Sequence, residues 1–246
     1  MAETFLSVII PAHNEATRLP GNLDALIPIL ADQSFTSEII LVENASSDGT
    51  WQVCENYANK FPSLVTPIKR AEVGKGGAVK VGMLAAKGRY RLFADADFSM
   101  PPVEIFKFIP PRIDVPIAIA SREAPGSVRY NEPFYRHITG RVFNSLIRLM
   151  VLPSLQDTQC GFKMFREDVV KLIFPKQTMS GWSFDVEILY IASRMGIPIL
   201  EIPIPWYFNN DSKVKVFRDS YRMFTDLLRI RKNGKAGTYD DPPAAS

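Results

Sequence analysis

Between residues 6 and 122 the chain alternates short apolar runs with stretches of helical periodicity, and this alternation restricts the fold more than any other feature. The runs are LSVIIPA (6–12), SEIILVEN (37–44), a weaker VTPIKRA (65–71), RYRLFADAD (89–97) and VPIAIASR (115–122). They are nearly continuous in apolar character, as in parallel strands covered on both faces. Between them, residues 16–33 place Leu19, Leu23, Leu26, Ile27 and Leu30 on one side of a helix. Residues 46–61 open with Ser46 and Asp48, residue types that cap helices. Residues 74–88 end in Gly88, which reads as a C-cap. The expected fold class is α/β: a Rossmann-like, mostly parallel sheet flanked by helices.

The second half is less regular. Residues 134–151 and 181–196 read as amphipathic helices, and IPILEIPIPWYF (197–208) as a strand whose prolines confine it to an edge. A chain of 246 residues with this pattern is expected to form one domain over 1–233. Within it, 1–122 forms one half, 123–212 a second, and 213–232 a basic amphipathic helix. The Gly- and Pro-containing segment 234–246 is expected to be disordered.

The net charge of +3 is too small to imply a nucleic-acid partner. Two cysteines, Cys54 and Cys160, form no CxxC pair or Cys/His cluster, which argues against structural zinc and for a reduced, cytoplasmic setting. The N-terminal residues lack the basic segment of a signal peptide, and no stretch is long and apolar enough to predict a membrane-spanning helix.

Ligands of open parallel sheets bind beyond the carboxyl ends of the strands. There the sequence sets HNE (13–15), ENASSDG (43–49), EVGKGG (72–77), DADFS (95–99) and SREAPG (121–126). One such cluster is an ordinary turn; five at successive strand ends describe one crevice. Asp95 and Asp97 would point the same way in an extended chain, and two adjacent carboxylates repel unless a cation lies between them. Oxygen donors with an open geometry suit Mg2+ or Mn2+. The plain alternative is an acidic helix start before Pro101 and Pro102. GKGGA (74–78) offers backbone N–H groups and Lys75 at a helix start, a cradle for phosphate or simply a tight turn.

VIIPAHNE, VENASSDGT, GKGGAV and DADFSMP, in this order and spacing, resemble the inverting GT-A glycosyltransferases of family 2. SREAPGS, DTQCGFKMF and GWSFDVEILYIA narrow the resemblance to the polyprenyl-phosphate sugar synthases. Within these it is nearest to the dolichyl-phosphate β-glucosyltransferases, with the mannosyltransferases next; it covers about residues 6–210.

The resemblance implies that Pro11, His13, Asn14 and Glu15 hold the donor nucleotide, with Glu43 at a position where the family usually has a base-contacting Asp. Asn44 replaces a second common Asp. Lys75 would meet the diphosphate, and Asp95 with Asp97 would carry the metal, with Ser99 as a further polar neighbour. Arg122 and Arg136 match arginines near the donor and lipid phosphates. Asp157 matches an acid bordering the acceptor, while Asp185 and Glu187 match acids in the family's aromatic–acid block, Asp185 on the acceptor side. The catalytic set would be Asp97, Asp157, Arg122 and Arg136. Cys160 reads as a small buried residue and Trp182 as packing.

The activity so implied is metal-dependent hexosyl transfer, glucose before mannose, from UDP-glucose or GDP-mannose to a polyprenyl phosphate. A phosphate dianion needs no general base, and Arg122, Arg129, Arg136, Arg141 and Arg148 would serve to position it. A hydroxyl acceptor would instead need Asp157 or Asp185 as base. The alternatives are such a hydroxyl-directed transferase, a metal-dependent nucleotidyltransferase, or a non-catalytic nucleotide-binding scaffold. A lipid acceptor calls for a route to the cytoplasmic face of a membrane. Residues 213–232 supply a candidate, with Phe217, Tyr221, Phe224 and Leu228 as an apolar stripe among seven cations. A membrane-spanning partner subunit would serve equally.

Overall fold

The computed structural model describes residues 3–208 and 216–240; the side chains at 135, 136, 139, 143 and 216–221 lie outside that description. The first half follows the expected alternation: β1 (Leu6–Ala12), α1 (Leu19–Ala31), β2 (Ser37–Asn44), α2 (Thr50–Lys60), β3 (Val65–Arg70), α3 (Lys75–Ala85) and β4 (Tyr90–Ala94). A 3₁₀ turn, Pro102–Lys107, leads to β5 (Ile117–Ser121) and the short β6 (Val128–Tyr130). Then come α4 (Phe134–Met150), β7 (Phe162–Arg166), α5 (Glu167–Ile173), α6 (Phe184–Arg194), β8 (Ile199–Pro203), β9 (Pro205–Tyr207) and α7 (Val216–Lys235).

Seven strands form one sheet in the order β3-β2-β1-β4-β7-β5-β8, so a single sheet spans both halves. All its pairings are parallel except those of β7, which runs antiparallel between β4 and β5. Both faces are buried, as the continuous apolar runs require. Ile9, Ile40, Val42 and Phe93 pack on one side with α3, α5 and α6. Val8, Ile10, Ile39, Leu41 and Leu92 pack on the other with α1. β8 is the expected edge strand, while the proline-flanked β9 leaves the sheet and pairs with β6.

Several expectations give way. β7 had no strand signal, because Lys163 interrupts its apolar run; that lysine is fully buried. Running antiparallel, β7 begins at the same edge of the sheet where the parallel strands end, which delivers residues 157–161 to the crevice. Gly88 is not a helix cap: α3 ends at Ala85 with Ala86 extended. Gly88 is small because its backbone passes Ser7, where a Cβ would stand 2.6 Å from the Ser7 nitrogen. The segment after Pro101 is a 3₁₀ turn. Of residues 234–246, expected to be disordered, 234–235 complete α7 and 236–240 form turns that bury Tyr239 to 1 % exposure. Residues 241–246 lie outside the described residues.

In α7 the inward face is Met223, Leu227 and Ile230, whereas Phe224 and Leu228 of the expected stripe stay exposed. Phe217 and Tyr221 are outside the described side chains. No helix among the described residues is long and apolar enough to cross a membrane.

Candidate active site

The crevice lies at the carboxyl ends of β1, β2, β4 and β5, and its walls brace one another. After β1, His13 donates from Nδ1 to the Asn44 carbonyl at 2.7 Å. Asn14, at φ +54°, accepts from the Ser47 N–H at 2.8 Å and donates its own N–H to Ser46 Oγ at 3.0 Å. Glu15 accepts from Nε and one Nη of Arg18, both at 2.8 Å, so its carboxylate is engaged within its own turn. Pro11 sits in β1 opposite Val42. After β2, the buried Glu43 accepts from the Ser46 N–H. Asn44 Oδ1 accepts from Arg70 at 2.8 Å and from the Gly74 N–H at 3.2 Å, tying β2 to the glycine loop. Ser46 and Asp48 precede α2 rather than capping it directly; Asp48 accepts from the Thr50 N–H at 3.0 Å.

Lys75 is the first residue of α3, and its ammonium lies 2.5 Å from Asp95 Oδ1. The indole of Trp182 is 5.3 Å away. Burial pulls the Lys75 pKa down, but Asp95, Asp185 and Asp97 outweigh it and hold the pKa above its ordinary value. The glycines beside it are demanded by the wall opposite. A Cβ on Gly74, whose φ is +155°, would meet the Ser180 carbonyl at 2.6 Å, and one on Gly76 would meet the Met179 carbonyl at 2.8 Å.

Asp95 and Asp97 do not lie on an extended chain as expected. β4 stops at Ala94, the chain turns, and Phe98 takes φ +40° with its N–H on the Asp95 carbonyl. Asp97 accepts from the Ser99 N–H at 3.3 Å. Its pKa is raised, first by burial and then by the Asp95 charge. Ser99 itself uses its carbonyl to hold Tyr207 N at 2.7 Å.

Buried Asp95 Oδ1 has no hydrogen-bond donor among the described residues other than the adjacent ammonium. These observations fit a divalent cation: two hard carboxylates, one disfavoured as an isolated charge. Among the described residues no third His, Cys, Asp or Glu converges on them. That leaves the remaining positions to phosphate oxygens and water, the usual way Mg2+ is held.

The far wall comes from β5 and the segment before β7. Arg122 grips Asp157 through Nε at 2.7 Å and an Nη at 2.9 Å, with its own backbone N–H adding a third bond at 3.0 Å. Burial pushes the Asp157 pKa up, but the Arg122 guanidinium more than compensates and brings it down to about 2. Asp157 is therefore a poor proton acceptor, and its place in the site is to orient Arg122. The Arg122 guanidinium lies over Trp206 at 5.4 Å, and Arg129 over the same indole at 5.8 Å. Arg129 is bridged by Glu132 at 2.7 Å and Glu123 at 2.5 Å. Arg141 reaches Glu123 at 3.4 Å, while Arg148 is an exposed residue of α4. The Arg136 side chain lies outside the described residues.

Asp185, expected on the acceptor side, lies within electrostatic reach of Lys75 and Asp95. It binds the Lys163 ammonium at 2.5 Å, and burial raises its pKa. Glu187 points away from the crevice: it accepts from Thr178 N at 3.0 Å, Met179 N at 2.7 Å and Tyr239 OH at 2.9 Å. Cys160 is buried and its thiol is pushed up to about 12, first by desolvation, so it is no nucleophile.

Sequence reasoning missed Lys163, Gly161, Trp206 and Arg70. The one signal was a lysine inside the apolar run FKMFR. Gly161 is required because a Cβ there would overlap the Asp95 carboxylate, while its carbonyl accepts the Asp95 N–H at 2.9 Å.

With this geometry in view, comparison with known proteins is specific. The family model described as Glycosyl transferase family 2 matches residues 7–174. A dolichyl-phosphate beta-glucosyltransferase of Dictyostelium discoideum is 36% identical over 241 residues, covering 92% of this chain and 74% of that protein. One of Drosophila melanogaster is 37% identical over 240 residues, with the same coverage of 92% and 74%. One of Homo sapiens is 33% identical over 251 residues, covering 95% and 77%.

Among solved structures, glucosyl-3-phosphoglycerate synthase from Mycobacterium tuberculosis with uridine diphosphate superposes with TM-score 0.68 at 17% identity, over 92% of this chain and 80% of that one. The same enzyme has been crystallised with Mn2+, uridine diphosphate and glucosyl-3-phosphoglycerate. Mannosyl-3-phosphoglycerate synthase from Rubrobacter xylanophilus gives 0.71 at 16%, over 99% and 79%. The structural neighbours establish the GT-A fold, and the match over most of the sequence establishes the rest: the chain belongs to glycosyltransferase family 2.

Proposed function

We propose that this hexosyltransferase moves glucose, with inversion, from a nucleotide diphosphate sugar to a polyprenyl phosphate such as dolichyl phosphate, at the cytoplasmic face of a membrane. The observation that carries this reading is the placement, in one crevice, of an acid pair with a lysine facing a carboxylate-clamped guanidinium. Asp95, Asp97 and Lys75 stand at one side, and two guanidiniums stacked on Trp206 stand at the other. Relatives named for that activity match over nearly the whole chain.

The loops carrying His13, Asn14, Glu15, Glu43 and Asn44 would frame the nucleoside, with Glu15 and Glu43 stiffening the frame. Lys75 would neutralise part of the diphosphate as it leaves. Asp97, with Asp95 beside it, would hold a Mg2+ or Mn2+ ion, which supplies the remaining neutralisation of the leaving group. Arg122, fixed by Asp157, would orient a phosphate oxygen toward the anomeric carbon through a charge-assisted contact. Its pairing with Asp157 leaves a partly buried guanidinium whose position is set before substrate arrives.

A phosphate monoester has a second pKa of about 6 and attacks as the dianion, so no proton need be removed. A hydroxyl acceptor would need a base, and the candidates for that role are engaged. Asp157 sits at about 2 in the Arg122 clamp, and Asp185 is bound to Lys163. The test is a matrix of UDP-glucose and GDP-mannose against a short-chain polyprenyl phosphate and the matching polyprenol, with and without Mg2+. Glucosyl transfer to the phosphate alone is expected; transfer to the polyprenol, or a new nucleotide sugar as product, would reject the reading.

A further inference from the structure

The Asp157 carboxylate is filled by donors: beside its three bonds from Arg122, it accepts from the Gln159 N–H at 3.2 Å. Asp157 itself sits in the segment between α4 and β7, which belongs to no helix or strand. Backbone groups in such a segment depend on side chains for their partners. Here the partner is Glu201 of β8, the edge strand beside β5. One Glu201 oxygen accepts from the Gln156 N–H at 2.8 Å and the other from the Asp157 N–H at 2.9 Å. Asn144 of α4 donates to the Gln156 carbonyl at 2.7 Å. The peptide between Gln156 and Asp157 is thus held at its N–H by Glu201 and at its carbonyl by Asn144.

Five residues beyond Glu201, Trp206 reaches the same guanidinium by a second route. Arg122 lies over its indole at 5.4 Å, and Arg129, which faces Trp206 in the β6–β9 pairing, lies over it at 5.8 Å. One stretch of chain therefore braces Arg122 twice, through the backbone of Asp157 and through a ring face. With both oxygens on backbone N–H groups, Glu201 is placed to hold the clamp and not to take up a substrate proton.

We propose that Glu201 and Trp206 are positioning residues for the transfer, which together fix the Arg122 guanidinium where an acceptor phosphate oxygen docks. This rests on the reading of Arg122 as a contact of a phosphate acceptor. A phosphate that meets a loose arginine must freeze a long side chain, and a guanidinium held beforehand avoids that loss. A misplacement of about 1 Å at such a contact costs on the order of 100-fold in rate. The effect belongs to one substrate. β8 lies at the opposite edge of the sheet from β3, β2 and β1, which carry the loops proposed to frame the nucleotide.

The experiment compares Glu201→Gln and Trp206→Leu with the wild type, well below their melting temperatures. The amide of Glu201→Gln sets an N–H against one of the two backbone donors, and Trp206→Leu keeps an apolar side chain without the ring face. The readouts are kinetics with UDP-glucose, Mg2+ and a short-chain polyprenyl phosphate, and the dissociation constant of UDP with Mg2+ by calorimetry. Each variant is expected to lose at least about tenfold in kcat/KM for the acceptor, mainly through KM, and to bind UDP within about twofold of the wild type. An unchanged acceptor KM in either variant, whatever happens to the melting temperature, overturns the proposal. A parallel loss of UDP affinity marks general loosening and overturns it too. If Glu201→Gln does not fold, Trp206→Leu decides. If the wild type transfers nothing to the phosphate, the proposed acceptor is rejected, and urea unfolding decides the positioning by itself. Destabilisation by Glu201→Gln and Asp157→Asn together that is smaller than the sum of the two supports a shared clamp, whereas additive effects overturn it.

Discussion

Asp97 is partly buried and Asp157 fully buried in the crevice, and their surroundings drive them in opposite directions. The Asp97 pKa is raised by burial and by Asp95, so its charged form is disfavoured beside a second carboxylate. Asp97→Asn should therefore lose at least about 100-fold in transfer while leaving the melting temperature equal or higher. Adding Mg2+ should raise the melting temperature of the wild type and not of the variant. Asp157 is depressed from 3.8 to about 2 by Arg122. A depressed acid contributes stability that is complete above its unfolded pKa and is lost as pH falls through the folded one. Urea unfolding between pH 4.5 and 1.5 should show the wild type losing roughly 2 kcal/mol that Asp157→Asn has already lost. The sequence places both acids in the crevice, but D-x-D and D-T-Q-C-G do not reveal which acid is clamped. That depends on Arg122 arriving from β5, 35 residues away in the chain.

At the scale of elements, β7 and the 178–183 loop decide how the site is held. β7 brings a fully buried Lys163 beneath Asp185, where its ammonium also donates to the Cys160 carbonyl at 2.6 Å. Lys163→Met leaves an unpaired buried carboxylate and should cost about 3–5 kcal/mol in urea unfolding, with Lys163→Met/Asp185→Leu costing less than that single change. The loop walls Lys75 through Ser180 and Trp182, and Glu187 bolts it to the C-terminal Tyr239. Glu187→Ala strands two backbone N–H groups, so a loss of at least about 2 kcal/mol and a raised KM for the nucleotide sugar, with the acceptor KM unchanged, are expected. Parallel strands were legible because continuous apolar runs carry their own signal. β7 was not, since one charged residue in five erases the pattern and its partner lies outside it. For α4 the helical period was legible but not the exposure of Phe134, Val142 and Leu149, because periodicity does not say which apolar residues meet the core.

At the scale of the molecule, one sheet joins the edge proposed to hold the nucleotide to the wall that carries Arg122 and Arg129. The alternation of the first 122 residues and the order of the motifs make this architecture legible in the sequence. The turn at 95–98 and the packed C-terminal segment were set by contacts distant in sequence. The central claim is a single displacement on the anomeric carbon by a phosphate oxygen. The most direct measurement is the anomeric configuration, by NMR, of the product formed from UDP-α-glucose and a short-chain polyprenyl phosphate. The account predicts β-glucosyl phosphate joined to the lipid; an α-linked product, or glucose found anywhere but on the lipid phosphate, would contradict it.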